Sequence, residues 1–197
     1  YEIGSGLVGS EMCIRDSDRD KPVSGCMVPH EIFSSCAGAA IYRKSVFDEI
    51  GLFDESFFAY LEDMDIGYRA RLAGYRNLYN PYAKVYHLGS ASSGSRHNAF
   101  KVELSARNSM YMLRKNMPAW QMVLNVPFIA AGIIIKTVYF AKRGLVTAYL
   151  KGIIKGLSGK LRNTSKNAGE KHKYTGFATY LGLQMWLFRG MIKRMKK

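Results

Sequence analysis

Phe53-Asp54-Glu55, Phe57-Phe-Ala-Tyr-Leu61 and Glu62-Asp63-Met64-Asp65 place five carboxylates within twelve residues, interleaved with aromatic rings. A solvated acidic run would lack the rings, and a buried core would lack the acids. The combination predicts a cleft in which charge does chemistry. Downstream, Ile66, Ala70 and Ala73 fall on one stripe and Gly74 follows, which predicts a helix over 62–73. Glu62 and Asp63 then occupy its first turn, where the macrodipole favours anions. Asp65 and Arg69, four residues apart, read as a pair supporting that helix. Phe53, Phe57 and Phe58 read as core and loop packing rather than platforms for a ligand.

Working outward, Val46, Phe47 and Ile50 share a face of a short helix over 43–50, with Gly51 placed to close it. Residues 22–34 read as extended or loop. The small apolar run 35–41 reads as a strand that a ligand or another backbone approaches closely. Short strands are expected at 77–79 and 83–87, around Asn80-Pro81. The Gly/Ser-rich loop 89–98 follows the lone His87, and loops of this kind can order over a ligand. A helix over 100–115 should end before Pro118.

Charge divides the chain. Residues 1–115 carry 14 basic and 14 acidic side chains, whereas residues 116–197 carry 15 basic ones and a single acid, Glu170. The second part alone therefore calls for an anionic partner. Its basic residues alternate with long aliphatic runs rather than with polar and stacking residues, which disfavours nucleic acid. Met117–Ile135 is 19 residues without a charge, long enough for a membrane span. Gln121, Asn125, Pro118 and Pro127 interrupt it, and both flanks are basic. Leu181–Lys197 mixes apolar and basic residues as an amphipathic helix suited to an anionic membrane surface. Three cysteines, Cys13, Cys26 and Cys36, have neither metal spacing nor an even count, so a reducing compartment is expected. Glu11-Met-Cys-Ile-Arg-Asp-Ser17 resembles translated adapter sequence from a sequencing library, so residues 1–17 are set aside as a non-native leader.

An acid–base enzyme needs a carboxylate poised to take a proton. Asp63 fits by position. Its neighbours Glu62 and Asp65 raise its pKa and the helix N-terminus lowers it, so the sequence leaves the net shift open. His87 offers a nitrogen ligand for a divalent cation.

Cys36-Ala-Gly-Ala-Ala-Ile-Tyr-Arg43, Val46-Phe-Asp-Glu-Ile-Gly51-Leu-Phe-Asp-Glu55, Phe57-Phe-Ala-Tyr-Leu-Glu-Asp-Met-Asp-Ile66, Arg69-Ala-Arg-Leu-Ala-Gly74 and Pro81-Tyr-Ala-Lys-Val-Tyr-His87 occur in an order and spacing that resemble family 2 glycosyltransferases. The likeness covers roughly residues 24–118 and points to the C-terminal half of the catalytic domain of bacterial, rhamnosyltransferase-like members. It implies an α/β fold of the GT-A type, here over 18–116, followed by a mainly helical, basic, membrane-associated extension over 117–197. It implies Asp63 as catalytic base, Glu62 beside the acceptor, and Gly38 and Asp65 lining the substrate site. His87 would ligate a divalent metal, Mg2+ or Mn2+, that neutralises the departing diphosphate. The implied partners are a nucleotide-sugar donor, a lipid-linked or glycan acceptor and an anionic membrane surface, at the cytoplasmic face of a bacterial inner membrane. The family's nucleotide-binding half and its Asp-x-Asp motif are not matched, and Asp18-Arg19-Asp20 lacks the apolar strand that should precede that motif. This stretch should therefore bind donor poorly and be inactive alone. The competing expectations are a non-enzymatic membrane-surface module driven by the cationic C-terminal region, and a protein spanning the membrane at 117–135.

Overall fold

A computed structural model describes residues 2–5, 28–35, 37, 40–82, 98–159 and 176–195. Contacts divide the chain into two units. Among described residues, the first comprises 2–53, 66–82 and 176–195, and the second comprises 54–65 and 98–159.

The first unit carries a three-stranded sheet in the order β1 (Glu2–Ser5), β3 (Arg76–Tyr79), β2 (His30–Ile32). β1 runs parallel to β3 and β2 antiparallel to it. β1 falls within the segment set aside as a leader; a backbone ladder can form with few demands on side chains. Val46 and Ile50 of α1 (Lys44–Ile50) bury against Ile66 and Ala70 of α2 (Glu62–Leu72), with Phe47, Phe53 and Tyr75 packed around them. The guanidinium of Arg69 donates to the carbonyls of Ile50, Gly51 and Leu52, which closes the end of α1. Arg71 donates to the carbonyls of Ile32 and Phe33 and pairs with Glu31 at 2.9 Å. These arginines tie α2 to α1 and to β2 through main-chain oxygens. α2 ends as expected. Gly74 takes φ 86° while Tyr75 N–H reaches Ala70 O and Gly74 N–H reaches Arg71 O, a cap that most side chains resist.

The face of α6 (Phe177–Met195) expected to lie on a membrane is partly used inside this unit. Leu183 and Gln184 are buried, and the Trp186 ring packs on Phe33 and under the Arg71 guanidinium, 4.8 Å away. Hydrophobic periodicity identifies an apolar face but does not say what covers it.

The second unit is built on α3 (Ala99–Asn116), α4 (Ala119–Ala141) and α5 (Val146–Ser158). Asn98 caps α3 by accepting from Lys101 N–H at 2.8 Å. Gly152 and Gly156 let α5 lie directly on α3. An added Cβ would come within 2.3 Å of Glu103 O at Gly152 and within 2.4 Å of Arg107 O at Gly156. Arg114 then donates to the carbonyls of Gly156 and Gly159, filling the acceptors left at the end of α5.

α4 is 23 residues long, about 34 Å, and is long and apolar enough to cross a membrane. Gln121 and Asn125, which the sequence presents as interruptions, are buried, while Val123, Leu124, Val126, Ile134 and Ile135 are exposed. The polar groups thus sit on the covered stripe and the apolar ones face outward. Asn125 further satisfies its amide on Gln121 O, one turn back.

The described residues are mostly helical, with one small sheet. The expected α/β sandwich is therefore represented only by short strands beside helices. The strand expected at 35–41 reduces to an isolated bridge at Ala40 among its described residues, and the strand at 83–87 lies outside them.

Candidate functional site

The acids sit on the segment 54–65, held by α3 within the second unit. Asp54 starts a 3-10 turn, Glu55–Phe57, by accepting from Ser56 N–H at 2.9 Å. The chain then enters left-handed conformations at three non-glycine residues, Phe58, Tyr60 and Leu61, with φ of 62°, 67° and 70°. At Phe58, ψ is −58° and Ala59 N–H closes on Phe57 O at 2.7 Å, a γ-turn of the sterically strained hand. Such conformations cost on the order of 1–3 kcal/mol each and persist only where the surroundings enforce them.

Asn108 and Arg107 of α3 enforce them. The Asn108 amide, fully buried, donates to the carbonyls of Phe57, Ala59 and Tyr60 at 2.9, 2.7 and 2.8 Å. Two amide hydrogens serve three oxygens, so at least one is shared. Arg107 donates to Ser56 O at 2.7 Å and to Asn108 Oδ1 at 3.2 Å, which fixes the amide's orientation. Phe57 is buried edge-on against Tyr111. Phe58 is 79% exposed and meets Phe100 edge-on, ring centroids 6.4 Å apart, so its packing is on the loop and not in the core.

Beneath the loop, Lys115 bridges two carboxylates whose side chains are wholly buried. Its Nζ lies 2.7 Å from Asp54 Oδ2 and 3.0 Å from Asp65 Oδ2. Tyr111 OH donates to Asp54 and Asn116 Nδ2 to Asp65. Burial pushes the Asp54 carboxyl up, but the Lys115 hydrogen bond and charge and the Ser56 N–H outweigh it, so its pKa is lowered. This network fixes the loop's entry at Asp54 and the first turn of α2 at Asp65 to α3.

Glu62 and Asp63 open α2, partly exposed. Asp63 Oδ1 accepts from Met64 N–H at 2.7 Å. The Glu62 carboxyl is raised by burial, with a further push from the charge of Asp63. Its Oε2 is buried without a hydrogen-bond partner among the described residues. An orphaned carboxylate oxygen is an acceptor waiting for a donor, and a substrate hydroxyl has the matching chemistry.

The structure thus brings Glu62, Asp63 and Asp65 together on one helical turn. Asp65 is consumed by Lys115 and Asn116. Gly38 and His87 lie outside the described residues. Among the described residues no three His, Cys, Asp or Glu side chains converge as a metal site. They do not by themselves fit the expected cation, and what they supply is proton and hydroxyl acceptance. The sequence does not foreshadow the roles of Asn108, Lys115 and Arg107. Each is a polar residue on a helix whose partners lie 48 to 61 positions away, and nothing local to α3 announces them.

A 54-residue stretch, 27% of the chain, is 43% identical to N-acetylglucosaminyl-diphospho-decaprenol L-rhamnosyltransferase of Mycobacterium tuberculosis, in two strains, and covers 18% of that protein. An 80-residue stretch, 40% of the chain, is 32% identical to the uncharacterized protein y4gI of Sinorhizobium fredii and covers 9% of it. The chain thus spans less than a fifth of the length of the curated relatives it matches. No family model and no solved structure matches. At a coarse level, part of the chain has a glycosyltransferase-like relationship.

Proposed function

We propose that this chain carries the acceptor side of an inverting, family 2 (GT-A) glycosyltransferase. The observation that carries the reading is the clamped left-handed loop that delivers Glu62 and Asp63 to the start of α2. Backbone strain held in place by buried hydrogen bonds is a mark of functional sites, and the stretch shared with a rhamnosyltransferase supports sugar transfer as the chemistry. The acceptor hydroxyl oxygen attacks the anomeric carbon of a nucleotide sugar. A C–O bond to the acceptor forms as the C–O bond to the diphosphate breaks, and the hydroxyl proton passes to Asp63. The electron pair leaves on the nucleoside diphosphate. Glu62 Oε2 accepts a hydrogen bond from the acceptor. Asp65 positions the turn from below through Lys115. A divalent cation with His87 as a ligand belongs to the same proposal and would neutralise charge on the leaving diphosphate.

The relative's name gives N-acetylglucosaminyl-diphospho-decaprenol as its acceptor, and the outward apolar face of α4 supports a lipid-linked acceptor here too, used at the cytoplasmic face of a bacterial inner membrane. The same face favours a second reading, a membrane-binding module without catalysis. Membranes containing the full-length protein, given nucleotide sugars and a polyprenyl-diphosphate glycan, should yield a glycosylated lipid with inverted anomeric configuration. Membrane binding with no transfer from any donor would favour the module and sink the enzyme.

A further inference from the structure

Apolar exposure in the second unit is not confined to α4. On α5, Leu150, Ile154 and Leu157 follow one another at helical spacing and are exposed. The lysines of that helix turn another way, with Lys151 and Lys155 both paired to Glu103 of α3. On α4, Val123, Ile134 and Val138 face outward, while Ile129, Ile133 and Phe140 pack against the core that α3 and α5 share. Residues 119–158, which hold both helices, carry five Lys or Arg and no Asp or Glu. A second copy on this face would set like charges against one another. A bilayer with anionic headgroups meets the cations with phosphate and the apolar stripes with acyl chains. The unit's undescribed residues, 86–97 and 160–163, bring three large apolar side chains by sequence, Tyr86, Leu88 and Leu161, too few to cover two helices.

The same packing conflicts with a crossing orientation of α4. Its inner flank from Ile129 to Phe140 lies against α3 and α5. A crossing helix would carry Glu103, Lys151 and Lys155 to bilayer depth, together with the left-handed loop that Asn108 holds. Charges and irregular backbone are both costly there.

We infer that α4 and α5 form one face that embeds in a single leaflet without crossing it, with α3 and the loop it holds on the aqueous side. The inference does not rest on sugar transfer.

The test uses the full chain carrying Cys13→Ser, Cys26→Ser and Cys36→Ser. Single nitroxide labels are placed at Val123→Cys, Val138→Cys, Ile154→Cys and Lys151→Cys. Each protein is added to preformed vesicles of phosphatidylcholine and phosphatidylglycerol in equal parts. Electron paramagnetic resonance reads depth from the balance of collisions with oxygen and with a water-soluble nickel chelate. The labels at 123, 138 and 154 should lie about 5–10 Å into the leaflet, and the label at 151 should stay in water. Positions 123 and 138 are about 22 Å apart along a helix axis, so a crossing helix separates their depths by most of that length. A difference above about 15 Å would overturn the inference. So would water contact at any of the three outward labels equal to that at 151, or spin–spin broadening between copies, which would put a second copy on the face. Ile154 is 64% exposed, so Ile154→Glu leaves the packing intact. It should lower vesicle binding at least about fivefold with unchanged circular dichroism; wild-type binding would remove α5 from the face.

Discussion

Replacing Lys115 with Met leaves two buried carboxylates facing each other without their shared cation. Both Asp54 and Asp65 side chains have zero exposure, and Lys115 itself is only 18% exposed. Removing one partner of a buried ion pair costs about 3–5 kcal/mol. Asp54 keeps Ser56 N–H and Tyr111 OH, and Asp65 keeps Asn116, so the low end, about 3 kcal/mol, is expected here. For a chain of this length that is about 6–12 °C in Tm. The deficit should depend on pH. In the wild type the Asp54 carboxyl sits below its ordinary 3.8, so its contribution is present above that value and is lost as pH falls through the lowered one. Without Lys115, burial raises the same carboxyl, and the variant gains stability as pH falls from neutrality. Melts followed by circular dichroism in a non-ionic detergent should show the gap at pH 7 shrinking by about half near pH 4.5. A gap under about 2 °C at pH 7, or one equal at both pH values, would refute the bridging role.

Asn108→Ala removes the donor shared by three loop carbonyls. Amide hydrogen exchange at 58–61 should accelerate, and transfer should fall mainly in kcat, by about tenfold or more, because the loop positions the acids without touching substrate; unchanged exchange would contradict the clamp. Gly156→Leu forces α5 off α3, and a loss of about 1–3 kcal/mol is expected in the same melts; a variant of wild-type stability would show that the helices do not rely on that close approach. Since the raised Glu62 carboxyl destabilises the fold when it ionises, Glu62→Gln should melt above wild type at pH 7 while transfer declines. The advantage should vanish as pH falls below the ordinary 4.5. If α4 crosses the bilayer, the chain should resist alkaline carbonate extraction, whereas release by carbonate or high salt would indicate surface binding.

The helices were legible because periodicity and glycine stops are local signals. α1, α2 and α3 begin and end within two residues of where their apolar stripes, Gly51, Gly74 and Pro118 place them. The placement of Glu62 and Asp63 in a first turn was legible for the same reason. What holds them was not, since Lys115 reads as one more cation near the end of α3 until Asp54 and Asp65 fold onto it. Gln121 and Asn125 misled in a related way: a linear run shows that a polar residue interrupts it, not that the residue faces inward. The left-handed loop was equally invisible. Phe, Tyr and Leu avoid positive φ on their own, and only tertiary hydrogen bonds hold them there.

Asp63 is the proposed catalytic base. In the full-length protein, supplied with nucleotide sugar and lipid-linked acceptor, Asp63→Asn keeps the shape of the carboxylate and removes its basicity. The prediction is a loss of at least about 10²–10⁴ in kcat with an unchanged Tm. Transfer within about threefold of wild type would show that another group takes the proton and that the acids at the start of α2 are not the catalytic centre.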